Sequence, residues 1–406
     1  MSDLISRRDV IRRGGMIAVG LVAPRWLATI AEADMVELGK GGKLAKDTVL
    51  VVCQLSGGND GLNTVIPYAN KLYYQMRPTI GIPDAQVVKL NEQLGLHPGL
   101  APIGELFKQG QVAVIQNVGY PQPNRSHFKS MDIWQSASPD GKLRYGWIGR
   151  HMDTVGAANP VYALGLSTEK PLALAGKTAS VPCFASLADI QNMIGDPDTE
   201  RMLREIQGMD AKAGSLEAVV QKANRTALDA MDVLASQLSK YSPKQTYAND
   251  PFGNGFKQIA QLIATSPQTR IVYFSTGGFD THARQAESHG RLMTNFANAV
   301  SSFQKELEAV GKADKVIVLV FSEFGRRVAE NGSQGTDHGA AGPMLLIGKK
   351  VKGGIHGSNP DLQNLVNGDL KFETDFRSVY AATLDQWVGG DSAVVLGSKF
   401  SHAPVF

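Results

Sequence analysis

Three unbroken apolar runs limit what this chain can fold into: Thr48–Leu55 (TVLVVCQL), Ile271–Phe274 (IVYF) and Lys315–Phe321 (KVIVLVF), each leading into a polar, glycine-bearing loop. A strand with one wet face alternates polar and apolar residues. A continuous run therefore marks a strand covered on both faces, as in parallel sheets flanked by helices. Val112–Val118, Val161–Leu166, Ala179–Leu187 and Met344–Ile347 read as further strands. Between them lie helical stretches at Leu100–Gln109, His127–Gln135, Gly255–Ala264 and Thr374–Val388. A long helix is predicted where Leu292, Phe296, Val300, Phe303, Leu307 and Val310 recur every three or four residues. Asn249–Gly255 reads as a loop, and Pro197–Tyr241 as a helical insertion without strand signals. Strands alternating with helices, without repeats, predict one α/β domain with a mainly parallel sheet.

The N-terminus carries an address. Arg7-Arg8 precede a moderately apolar stretch, Gly14–Val22, and an Ala31-Glu32-Ala33 cleavage site. This reads as a twin-arginine export signal over residues 1–33, leaving 34–406 as a single domain delivered by the twin-arginine machinery to the periplasm or beyond. The stretch is too short, and too soon interrupted by Pro24 and Arg25, for a membrane span. A net charge of +3 over 406 residues creates no field suited to nucleic acid. An oxidising compartment permits a disulfide between Cys53 and Cys183. Cys53 nonetheless lies inside an apolar strand and reads as a buried thiol.

In open α/β sheets, ligands bind in the loops at the carboxyl ends of strands. Four such places carry polar groups: Asn59/Asp60, Ser126, Asp280/His282, and Glu323 with Asp337/His338. Each has an ordinary explanation alone, as a turn, a helix cap or a surface ion pair. Asp280 and His282 stand two residues apart, so in extended chain they face one point. A carboxylate with an imidazole suits a divalent metal, and the four places taken together read as a metal site. Ser56-Gly57-Gly58 lacks the spaced glycines of a dinucleotide fingerprint.

The ordered motifs GGNDGLN, NRSHF, GGFDTH, SEFGR and GTDHG resemble exported sulfatase-like proteins of the alkaline phosphatase superfamily, over about Thr48–Val388. The resemblance implies a three-layer α/β/α sandwich with metals at the carboxyl edge of the sheet. It implies Asp60 (or Asn59) as the ligand after the first strand and Ser126 as the nucleophile. It also implies Asp280, His282 and His338 as the ligands of one ion, and Glu323 as the acid of a second, shared with Asp60. There are three departures from the family pattern. Phe324 stands where a histidine ligand is usual, Glu323 replaces the commoner Asp, and the usual partner of Asp280 would fall near Arg284 rather than at His282.

One complete site and one weakened site are therefore expected, with a divalent ion that zinc, manganese, iron or calcium would equally satisfy. His127 is expected as acid or base beside Ser126, and Arg125, Arg326 or Arg327 as partners of a substrate oxyanion. The sequence after Ser126 (His127-Phe128-Lys129-Ser130) has no C/S-x-P-x-R maturation pattern, which argues against formylglycine chemistry. The implied function is a periplasmic, metal-dependent hydrolase of small or polymer-borne phosphate or sulfate esters. Phe324 motivates the alternative, a non-catalytic binding or assembly protein with one structural ion and a periplasmic protein partner.

Overall fold

In the computed structural model, which describes residues 47–406 apart from 157–158, 168, 239 and most of 189–214, the apolar runs form the middle of one nine-stranded sheet. The export signal predicted over residues 1–33 and much of the first half of the helical insertion lie outside the described residues. The strands are β1 (Val49–Leu55), β2 (Val112–Gly119), β3 (Ala163–Leu166), β4 (Cys183–Phe184), β5 (Ile271–Thr276), β6 (Val316–Phe321), β7 (Gly342–Ile347), β8 (Gly354–His356) and β9 (Thr374–Asp375). Their order is β8-β2-β7-β6-β1-β5-β3-β4, with β9 also paired to β2. Every pairing is parallel except those of β7, which runs antiparallel to both β2 and β6. The carboxyl ends of β1, β2, β5 and β6 therefore share one edge of the sheet, and the reversed β7 begins there.

Both faces are covered, which explains the unbroken hydrophobicity. Val49, Val51, Cys53 and Leu55 pack into a core with helices α1 (Ala101–Lys108), α4 (Leu216–Leu238), α5 (Pro251–Thr265) and α6 (Gln285–Ala309). Leu50 and Val52 face the other core, with α2 (His127–Ser136), α3 (Trp147–Val155), α7 (Phe376–Ala382) and α8 (Ser392–Leu396). This is the expected α/β/α sandwich, with α4 as the described part of the insertion. Cys53 is a free, buried thiol, and burial pushes its pKa up; Cys183 is also free. Among the described residues no helix is long and apolar enough to cross a membrane.

Three local expectations change. The stretch 249–255, read as a loop, is mostly helix. Asp250 caps α5 by accepting from the Phe252 and Gly253 amides, and Pro251 fills the first helical position, where no amide hydrogen is needed. Ala179–Leu187 yields only the two-residue β4, because Pro182 has no amide to give to a ladder. Thr374–Val388 opens as strand β9 before Asp375 caps α7, and its last turns, Thr383–Val388, widen into a π-helix.

Three histidines are buried among the described residues, His97, His151 and His289, and the last two are the most completely sealed. His151 on α3 has both ring nitrogens unpartnered, and burial lowers its pKa to about 4. His289 on α6 is lowered to about 3, again chiefly by burial. Below pH 6.5 the unfolded chain takes up protons that the folded protein refuses. Stability is thus complete above the ordinary histidine pKa and is lost as pH falls towards 4, by on the order of 2 kcal/mol per histidine at pH 5. Denaturant midpoints at pH 7.5 and pH 5 should differ accordingly, and His151→Gln should flatten part of the slope. Equal midpoints would show that these rings protonate freely in the folded state.

Candidate metal centre

The loops at the shared edge converge because two glycines let β1 turn sharply beneath the others. Gly57 and Gly58 have φ of +120° and +76°, in the left-handed region that L side chains avoid. A Cβ on Gly57 would lie 2.5 Å from the Asp280 amide nitrogen, and one on Gly58 would lie 2.2 Å from the Phe324 ring. The turn also aims the Gly57 amide at Glu323, whose Oε1 accepts it at 2.8 Å.

Arg326 ties the loops together. Its guanidinium is buried and donates to Gly58 O (2.6 Å), Phe279 O (3.0 Å), Thr336 O (2.8 Å), Gly57 O and Asp280 Oδ1 (2.7 Å). Expected as a partner for substrate, it is instead saturated by protein acceptors. Burial opposes ionisation of Asp280, but the guanidinium of Arg326, which donates to it, outweighs this and holds its pKa at about 2.

Around Asp280 stand three imidazoles, each with Nδ1 already engaged. His338 Nδ1 lies 2.8 Å from the carbonyl oxygen of Arg125. A carbonyl only accepts, so this nitrogen carries the proton and a neutral ring presents a bare Nε2. His127 Nδ1 is 2.9 Å from Glu323 Oε1, and His282 Nδ1 is 3.2 Å from Asp337 Oδ1. The hydrogen bond to Glu323, against some desolvation, raises the pKa of His127. The Nε2 atoms of His282, His338 and His127 lie 2.9, 3.1 and 3.5 Å from Asp280 Oδ1, and those of His282 and His338 are 3.0 Å apart.

The donor set fits a divalent cation. His127 Nε2 is buried without a hydrogen-bond partner, and the ligand atoms of His127, Asp280 and His338 all lie within 4.8 Å of one another. Bonds of 2.0–2.1 Å in tetrahedral coordination separate neighbouring ligand atoms by about 3.3–3.4 Å, close to the spacings around Asp280. Second partners on Nδ1, a carboxylate or a carbonyl, are what metal-bound histidines ordinarily have. The bare Nε2 of His338 and the Asp280 carboxylate repel each other unless a proton or a cation lies between them.

Of the residues expected as ligands, Asp280, His282 and His338 are brought together. Asp60 and Glu323 are not part of the cluster formed among the described residues. Asp60 is fully buried and paired with Arg77 Nη1 at 2.6 Å, with Gln285 Nε2 also donating to it. Arg77 goes on to Asn63 Oδ1, Val328 O and Arg327 O. Asn59, the alternative to Asp60, bonds Thr64 and His289. Glu323 stands behind His127 as its orienting partner. Phe324 is buried, with its ring 4.9 Å from that of His127 and 4.7 Å from that of His338, and fills the space beside them with hydrocarbon.

Ser126 is exposed at the start of α2, beside His127, and its hydroxyl makes no capping bond. Arg125, expected on the substrate, is bound to Asp369 through Nε (3.0 Å) and Nη2, while its carbonyl holds His338. Arg327 donates to Asn367 O. The placement of His127 among potential ligands, and of Asp337 behind His282, was not read from the sequence. The signal for the first was a histidine directly after Ser126; the second is simply the residue before His338.

Residues 45–373 match the sequence profile of a family described as protein of unknown function, DUF1501. No curated protein matches the chain. Among solved structures, the C-terminal periplasmic domain of EptC from Escherichia coli, in complex with zinc, is 12% identical over 77% of this chain and 78% of its own, with a TM-score of 0.37. A sulfatase from Pseudoalteromonas is 10% identical over 88% and 74%, TM-score 0.38. A phosphonate monoester hydrolase from Silicibacter pomeroyi is 10% identical over 87% and 77%, TM-score 0.36. These likenesses are of general architecture and carry no argument about chemistry.

Proposed function

The chain belongs to the DUF1501 family of proteins of unknown function, and from that premise we propose that it is an exported hydrolase of phosphate or sulfate esters that works with one divalent metal ion. The observation that carries this reading is the convergence of three imidazole Nε2 atoms on Asp280, each ring held by a partner on Nδ1. Asp280, His338 and His127 would hold the ion, with His282 at their side. Bound there, it would supply Lewis acidity to the ester oxygens.

The chain's own residues do the rest. Ser126, exposed, uncapped and directly before His127, is the nucleophile. Its hydroxyl gives its proton to solvent water as Oγ bonds to phosphorus or sulfur, the bond to the leaving alcohol breaks and the leaving oxygen takes up a proton. A water then adds to phosphorus or sulfur, breaking the bond to Oγ, returning a proton to it and releasing phosphate or sulfate. His282, with 43% of its side chain exposed, is the most open of the three rings and is placed to pass a proton between the leaving oxygen and solvent. A single ion suffices for this assignment, because the acid that would serve a second one, Asp60, is already neutralised by Arg77. The export signal predicted over residues 1–33 would place the reaction in the periplasm.

Hydrolysis of p-nitrophenyl phosphate and p-nitrophenyl sulfate by metal-loaded protein tests the proposal. Turnover of one of them should vanish on chelation, return with added metal, and be lost in Ser126→Ala. Turnover that survives chelation, or a metal-loaded protein inert towards both, would contradict it. Glu323→Gln should leave the fold intact and weaken metal affinity roughly 10- to 100-fold, since it removes the charge that orients His127. Metal titration of the variant checks this, and unchanged affinity would remove His127 from the ligand set.

A further inference from the structure

The first turn of α2 carries a residue that the site, as described, does not use. Phe128 follows His127 directly and is 87% exposed, far beyond the other exposed large apolar side chains of the described residues, Val219, Val366 and Val394 at 44–52%. None of those three is on α2, and one turn on from Phe128 stand a half-buried Met131 and an exposed Asp132. A stable protein interface covers about 800 Å² on each partner around a cluster of anchors. One exposed aromatic ring does not make such a surface. It does match one planar or flat-faced group, since aromatic pairs stack ring on ring.

We propose that Phe128 is a substrate-positioning residue that stacks on a ring in the leaving-group alcohol of the ester, an arene or the apolar face of a sugar, while the anionic head lies at the Asp280–His338 cluster. The inference rests on the reading of that cluster as an ester-hydrolase site. It gives the substrate a shape: a phosphate or sulfate attached to a ring rather than to a short alkyl chain. Phe128 adds affinity and takes no part in bond making, so its loss appears in KM and leaves kcat for a given substrate nearly unchanged.

The test uses two inert anions with the same head, phenylphosphonate and methylphosphonate, titrated into zinc-loaded full-length protein. The wild type should bind the phenyl compound about tenfold more tightly. Phe128→Ala should erase that preference without changing methylphosphonate affinity, and Phe128→Trp should restore it. Equal binding of the two anions by the wild type, binding of neither, or a preference that survives in Phe128→Ala would overturn the inference. So would a Phe128→Ala variant that keeps the preference but loses self-association or binding to anionic vesicles, which would assign the ring to a macromolecular surface. A preference that depends on Phe128, in a protein that hydrolyses no ester, would uphold the inference and sink the hydrolase reading. Ester turnover with the same KM for aryl and alkyl substrates in wild type and variant would do the reverse.

Discussion

Replacing His338 by alanine is expected to release the bound ion and to lower kcat/KM for an aryl ester roughly a thousandfold, well beyond the 10- to 100-fold typical for loss of an outer partner. The reason is its position. His338 Nε2 lies 3.1 Å from Asp280 Oδ1 and 3.0 Å from His282 Nε2, and its Nδ1 is locked on the Arg125 carbonyl, so the ring cannot turn away. His338→Ala removes one donor and frees the loop that β7 draws to the carboxyl edge. Its ring also touches Phe324 and His127, so a control is needed against simple loosening. His338→Gln fills most of the volume without an imidazole and should show nearly the same loss. Full activity in either variant, with the ion retained, would remove His338 from the site.

The largest effect on stability is expected at Arg77. It is the cation of a fully buried pair with Asp60, whose carboxylate it keeps ionised against the cost of desolvation. Arg77→Ala leaves that charge uncompensated, with Asp60 Oδ1 already lacking any partner. Breaking a buried pair from one side costs about 3–5 kcal/mol. The double variant Asp60→Asn/Arg77→Met removes both charges and keeps the volume, so it should recover much of the loss. Chemical denaturation of the three proteins checks this. A single variant as stable as the wild type would mean that water or another cation neutralises Asp60.

How far this arrangement was legible beforehand differs from residue to residue. The central strands announced themselves, because β1, β5 and β6 are covered on both faces and show no polar alternation. Asp280 and His282 were legible as a pair from their spacing and from the strand that precedes them. What brings His338 to them is less so. It arrives because β7 runs against its neighbours and begins where they end, a pairing fixed by tertiary packing with β2 and β6. The roles of Asp60 and Glu323 depended on side-chain direction. Asp60 meets a guanidinium 17 residues on, and Glu323 meets His127 across 196 residues, and no local pattern in the chain encodes either contact. The loop 249–255 was misread for a simpler reason: its glycines and asparagines outweighed the Asp250-Pro251 start signal that the helix obeys.

With Phe324 packed beside the histidines and Arg77 on Asp60, the proposed centre would take one ion, not two. The metal content of protein exported and folded in its native host tests this most directly. Elemental analysis should find one divalent ion per chain in the wild type and none in Asp280→Ala. A wild-type protein with no metal or with two ions per chain, or an Asp280→Ala variant that keeps its ion, would contradict the account.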